Sequence, residues 1–197
     1  MHLEKKGIRV LGIAESFNRA QEQSVLAGIV MRADLLIDGV AFSHATVGGM
    51  DATAAVLRLV SSLKRADINL LLLNGCVISW FNIIDLNEVY HQLQLPLICI
   101  TYEASEGLEA HIAKHFAGAE RDSRLEAYQR LNQRAPLQLR DQYTVFIRCL
   151  GIQLAEAEAV LNKFTLQGKV PEPVRVAKLV ARAQLLANAA TDNRPVR

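Results

Sequence analysis

The sequence predicts a mixed-sheet α/β domain, and three observations predict it. Of the 197 residues 51% are hydrophobic but only 6% are aromatic, so the apolar mass is aliphatic, as in strands sandwiched between helices. Three β-rich runs follow one another near the start of the chain, with the spacing of consecutive antiparallel strands. From Asp51 onward, helix-period and strand-like runs alternate, which is the order of βαβ units. At this length one core is expected, over residues 1–190, with 191–197 as a flexible tail.

Ile8 to Ala14 is short and β-branched and reads as a buried strand with Glu15 at its C-terminal edge. Val25 to Arg32 and Leu35 to Ala45 are the next two strands, and Asp38-Gly39 marks a bulge or turn in the third. After Gly48-Gly49 the period changes: Ala52, Val56, Leu59, Val60 and Leu63 recur at three and four, a helix from Asp51 to Lys64 with Asp51 as its cap. Ile68 to Leu73 is a strand covered on both faces, ended by Asn74-Gly75. Asp85 to Leu93 is a short helix capped by Asp85, and Leu97 to Thr101 repeats the buried-strand pattern. Residues 105–133 are charged and helix-forming, an exposed insertion broken at Gly118. Tyr143 to Leu150 is a last strand, followed by helices from Leu154 to Leu166 and from Val174 to Ala190. In the last helix Val174, Val176, Leu179, Val180, Ala183 and Leu186 are expected to be buried and Arg175, Lys178 and Arg182 to form an outer stripe.

The net charge is +2, so nothing global demands a polyanion, yet residues 163–197 carry +5 and the remainder −3. Cys76, Cys99 and Cys149 are odd in number and set in apolar sequence, as for buried thiols in a reducing compartment. No secretory pattern opens the chain at Met1-His2-Leu3-Glu4-Lys5-Lys6, and no apolar run reaches the roughly 20 residues that span a bilayer. A cytoplasmic protein without a membrane partner is expected; the sequence carries no signal of oligomeric state.

Three carboxylates stand where strand ends and helix starts could gather them around a divalent cation: Glu15, Asp51 and Asp85. Capping alone also accounts for Asp51 and Asp85, and an exposed loop carboxylate for Glu15. The segment from Asn74 to Asn82 follows a buried strand, where open α/β sheets keep their ligand crevices, and holds the only Trp. Trp80, Phe81 and Asn82 there could stack on a base and bond its edge, or Trp80 and Phe81 could be core. Cys76 reads as a nucleophile or an inert thiol. Gly48-Gly49 could expose N–H groups to a phosphate or form a tight turn; His111 and His115 have metal-capable i, i+4 spacing without a third ligand. The stripe of Arg175, Lys178 and Arg182 could follow a phosphate backbone or simply be solvated.

Several stretches together carry a resemblance. They are Ile8-Arg9-Val10-Leu11-Gly12-Ile13, Leu26-Ala27-Gly28-Ile29-Val30-Met31-Arg32, Thr46-Val47-Gly48-Gly49-Met50-Asp51-Ala52-Thr53, Leu73-Asn74-Gly75 with Trp80-Phe81-Asn82-Ile83-Ile84-Asp85, Leu95-Pro96-Leu97-Ile98, and Gly168-Lys169-Val170-Pro171-Glu172-Pro173-Val174-Arg175-Val176-Ala177. In this order they resemble an archaeal family now called endonuclease dU, similar to endonuclease V and hence ribonuclease H-like in fold. The resemblance implies Mg²⁺- or Mn²⁺-dependent cleavage of DNA near a deaminated base, deoxyuridine above all, as in DNA repair. Relatives hold the metal with acidic groups after the first strand, near the first helix and after the fourth strand. Those positions are here Ala14, with Glu15 next to it, the region of Asp51, and Asn74. Carried over, the catalytic set is Glu15, Asp51 and Asn74, the metal set Glu15, Asp51 and Asp85, the base pocket Trp80, Phe81 and Asn82, and the backbone clamp Arg175, Lys178 and Arg182. A catalytically degenerate nucleic-acid-binding relative is the alternative expectation, and a small-molecule enzyme built around Cys76 a third.

Overall fold

A computed structural model describes residues 7–140 and 142–192. β1 (Arg9–Ser16), β2 (Gln23–Arg32) and β3 (Ile37–Thr46) form the expected antiparallel ribbon. The register of β2 against β3 skips a residue at Asp38, the predicted bulge, whose carboxylate receives Arg9 at 2.5 Å and Arg65 at 2.9 Å. Two residues more of β1 than the sequence suggested bring Glu15 inside the strand, so the pleat and not a loop fixes its direction.

α1 (Ala52–Ser62) leads to β4 (Leu70–Asn74), and α2 (Leu86–Leu93) to β7 (Leu97–Thr101). β4 lies parallel to β1, with Ile13 beside Leu73, and β7 lies parallel to β4, with Leu73 beside Cys99. Between β4 and α2 the chain forms a small hairpin, β5 (Val77–Ile78) and β6 (Asn82–Ile83). The insertion resolves into α3 (Glu109–His115) and α4 (Gly118–Gln129), separated where Gly118 takes a φ of 57°. β8 (Ala135–Leu139) and β9 (Tyr143–Leu150) complete a seven-stranded sheet in the order β3-β2-β1-β4-β7-β9-β8. β8 was not foreseen, because Pro136 argues against a strand; at the sheet's outer edge its missing N–H costs no ladder bond. α5 (Leu154–Phe164) and α6 (Glu172–Asp192) end the described chain.

Two apolar layers hold the sheet. Leu11, Ile13, Leu71 and Leu73 pack against α1 and α2 through Val56, Leu59 and Val89. Val10, Ala14, Leu70 and Leu72 pack against α5 and α6 through Val160, Phe164, Val174 and Ala177. Each fully buried Leu, Val or Phe of these layers contributes roughly 1.5–3 kcal/mol. α6 approaches closely because Gly12 leaves room: a Cβ there would lie 2.5 Å from Pro173. The phase of α6 differs from expectation. Val174, Ala177, Ala181 and Leu185 face the sheet, whereas Leu179 and Leu186 are 57% and 62% exposed and share the outer stripe with Arg175 and Arg182. The helix also continues through Asp192, so the expected tail begins no earlier than residue 193, and 193–197, like Met1 to Lys6, lie outside the described residues.

Candidate nucleic-acid interface at the strand ends

The hairpin turn is built from Ser79, Trp80 and Phe81, whose φ values are 45°, 58° and 63°. Left-handed backbone costs a non-glycine residue roughly 1–2 kcal/mol, so three in succession must be held from outside. The Ser79 carbonyl accepts from Gly48 N–H at 2.7 Å, and the Ser79 hydroxyl donates to Ser24 Oγ at 2.6 Å. Asn82, fully buried, donates to Thr46 O at 2.9 Å and to Asp51 Oδ1 at 2.7 Å, and its own oxygen accepts from Ala52 N–H at 2.8 Å. Asn82 therefore caps α1 from another element. Asp51 stands at the N-cap without bonding any helix N–H; its carboxylate instead accepts from the backbone and hydroxyl of Thr46, both at 3.0 Å. Burial raises the Asp51 pKa, but the bonds from Asn82 and Thr46 outweigh it and hold the carboxyl below its ordinary range. Asp85 does cap α2, accepting from Asn87 N–H at 3.0 Å and Glu88 N–H at 3.1 Å, with Arg130 3.6 Å away. Gly48-Gly49 forms the tight turn: both N–H groups are spent on Ser79 O and Thr46 O.

Glu15 pairs with Leu26 across β1 and β2, on the α1/α2 face, while Ala14 belongs to the layer beneath α6. Asn74 follows Ile13's partner Leu73 and so lies beside Ala14, in phase with Leu70 and Leu72 of the α6 layer. Glu15 and Ala14 thus leave opposite faces of the sheet, since a one-residue shift in a strand moves the side chain through it. Glu15 is 14% exposed; Lys178 Nζ donates to its backbone carbonyl at 2.6 Å and lies 4.0 Å from Oε1, and Oε2 is buried without a partner. Burial pushes its pKa up, against the opposing pull of Lys178 and of the Ser79 N–H. Among the described residues no three His, Cys, Asp or Glu side chains gather as metal ligands. Glu15, Asp51 and Asp85 are thus held by three separate sets of partners. Mg²⁺ keeps several waters and takes as few as one or two carboxylates, whereas the pair His111 and His115 gains no third ligand among the described residues.

Trp80 and Phe81 are half-buried in an aromatic cluster shared with the insertion. Trp80 lies 5.5 Å from Phe116 and 5.8 Å from His115, and Phe81 lies 5.6 Å from each. Arg124 stacks 3.8 Å from the Phe116 centroid and donates to Gly48 O, fastening the insertion to the turn. The exposed Arg19, which sequence reading passed over in an aperiodic loop, covers the Trp80 ring at 4.4 Å. Asn82 is not part of this surface. Of the outer stripe, Arg175 is engaged by Glu172 at 2.5–3.0 Å and Lys178 by Glu15, whereas Arg182 lines an open groove of about 530 Å³ with Phe17, Arg19 and Leu186. Cys76 lies apart from the cluster, below a smaller pocket at the ends of β4 and β7.

The family model described as endonuclease dU matches residues 6–185. The chain belongs to the endonuclease dU family. An archaeal relative, a UPF0215 protein of Pyrobaculum calidifontis, is 40% identical over 172 residues, 87% of this chain and 93% of that protein. A crystal structure of a protein of unknown function from Archaeoglobus fulgidus superposes with a TM-score of 0.78 at 24% identity, covering 90% of this chain and 98% of that one. Endonuclease V from Ciona intestinalis, solved with a 24mer DNA containing an inosine, matches with a TM-score of 0.61 at 14% identity over 93% and 87% of the two chains. The fold of this family member is thus endonuclease V-like. No helix among its described residues is long and apolar enough to cross a membrane.

Proposed function

We propose that this member of the endonuclease dU family binds a nucleic acid, DNA in the first place, along the edge formed by the hairpin turn, the insertion and α6, without cutting it through a metal ion. The observation that carries this reading is that Ala14 and Asn74 are the residues following the paired Ile13 and Leu73 at the ends of β1 and β4, with Glu15 turned to the other face of the sheet. The binding half rests on Trp80 and Arg19. The Arg19 guanidinium covers the ring from the solvent side, and an unstacked base of similar flatness can take its place while Arg19 moves to a phosphate. Arg182, in the adjoining groove, adds a backbone contact. Fluorescence anisotropy with labelled single-stranded and duplex oligonucleotides, with and without deoxyuridine or deoxyinosine, tests it. Binding should weaken with salt, and Trp80→Ala should lower affinity about tenfold or more, as stacking is worth roughly 1–3 kcal/mol per base.

One observation favours a second reading, hydrolysis of a DNA phosphodiester near deoxyuridine. Glu15 Oε2 is buried and unclaimed, and the raised pKa suits a group that takes a proton from water. Cleavage of deoxyuridine oligonucleotides with Mg²⁺ or Mn²⁺ present, abolished in Glu15→Gln, would select this reading over the first.

A further inference from the structure

On the α1/α2 side of the sheet, at the ends of β4 and β7, a pocket of about 140 Å³ sets Thr101, Ser105, Tyr128, Arg134 and Arg148 into an otherwise largely apolar lining that includes Cys76. Arg148 stands on β9 opposite Cys99; its Nε donates to Asn132 O at 2.5 Å and its Nη1 lies 3.6 Å from Cys76 Sγ. Arg134, 5.2 Å from the Phe146 centroid, donates to the Thr101 hydroxyl and to the carbonyls of Glu103 and Ser105, each at 3.1 Å. Both guanidiniums are half-buried, and their partners are carbonyls, a hydroxyl and a sulfur, with no carboxylate among the described residues. Arg65 and Arg175 by contrast meet Asp38, Asp67 and Glu172 directly. Two partly desolvated cations that share a pocket without a counter-charge repel each other, and an anion between them removes that cost. The Cys76 thiol is held below the usual range chiefly by a hydrogen bond from Cys99, against burial and with smaller contributions from Arg148 and Arg134.

We propose that this pocket is an oxyanion site that takes one phosphate group between Arg134 and Arg148, with the hydroxyls of Ser105 and Tyr128 as further donors and Cys76 at its floor. A pocket of about 140 Å³, a fraction of the 530 Å³ groove beside Arg182, admits a single group and not a passing chain. The ligand is therefore a phosphate monoester, at the end of an oligonucleotide or free in solution. The site stands apart from the aromatic cluster and does not depend on nucleic-acid binding there.

Alkylation of Cys76 by iodoacetamide, followed by peptide mass spectrometry with Cys149 as internal reference, reads its occupancy. Inorganic phosphate at ten times its Kd should slow modification of Cys76 about tenfold against chloride at equal ionic strength and leave Cys149 unchanged. Arg148→Gln should remove the protection. Cys76→Ser, which keeps both arginines, should keep a phosphate-dependent rise in melting temperature, so the site remains testable if the Arg148 variant folds poorly. Equal protection by chloride and phosphate, or unchanged protection in Arg148→Gln, or no phosphate-dependent rise in Cys76→Ser, would overturn the site. A 5′-phosphorylated oligonucleotide that protects where its unphosphorylated twin does not identifies a strand end as the source; protection by free phosphate alone identifies a small phosphate.

Discussion

At the C-terminal edge of β1 and β4 the two faces of the sheet have diverged. On the α1/α2 face Glu15, Asp51, Ser79 and Asn82 are tied to one another's elements by short hydrogen bonds, and these hold the turn that carries Trp80. On the α5/α6 face Ala14 and Asn74 follow the paired Ile13 and Leu73, and Ala14 is packed into the apolar layer with Val174 and Ala177. The difference teaches that two side chains one position apart on a strand end in separate environments, one polar and one apolar. The polar groups shape the turn beneath Trp80, and Ala14 is part of the core.

The largest expected effect comes from putting an acid back. Ala14→Asp buries a carboxylate beneath α6 and should cost about 3 kcal/mol or more in urea unfolding. A tolerated variant that gains Mn²⁺ binding would mean that this face is still a metal crevice. Next comes Asn82→Ala, which strips Ala52 N–H, Thr46 O and Asp51 of a shared partner; a loss of about 2–3 kcal/mol is expected in the same assay. If the loss is under about 0.5 kcal/mol, the polar face is not what holds the turn.

Glu15 and Asp51 should respond to pH with opposite sign. Because the folded pKa of Glu15 is raised, its favourable contribution is complete below the unfolded value, near 4.5, and is lost as pH rises through the folded one. Glu15→Gln should therefore melt roughly 2–4 °C above the parent at pH 7, for about 1 kcal/mol, and the two should converge near pH 4. For Asp51, lowered on folding, the contribution is present above its ordinary value of 3.8 and is lost as pH falls through the folded one. The smallest effect separates two cations of one stripe. Arg182→Ala should reduce the salt slope of oligonucleotide binding by about one, whereas Arg175→Ala, already engaged by Glu172, should leave it unchanged. Equal slopes in the two variants would make the stripe a uniform solvated face.

Much of the fold was legible because period and residue type agree in it. The β1 to β3 ribbon, β7 and the Asp85 cap follow from local sequence. β8 was hidden by Pro136, whose cost depends on an edge position that only the assembled sheet defines. Along α6 the apolar residues exceed what one stripe can bury, so Leu179 and Leu186 could not be told from Ala181 and Leu185 by spacing alone. At the site, rarity pointed to Trp80, yet nothing in Ser79-Trp80-Phe81 announces three left-handed residues, since neither Gly nor Asn is present. Asp51 read as a helix cap because its true partner, Asn82, is 31 residues away. The face that Glu15 takes was not legible, because β1 runs two residues beyond its apolar stretch, to Ser16.

A deoxyuridine oligonucleotide incubated with the protein and Mg²⁺ or Mn²⁺, with bound and cut fractions measured in the same sample, tests the central claim most directly. A salt-sensitive complex whose DNA stays intact is expected. Metal-dependent strand cleavage by the parent chain would contradict that claim.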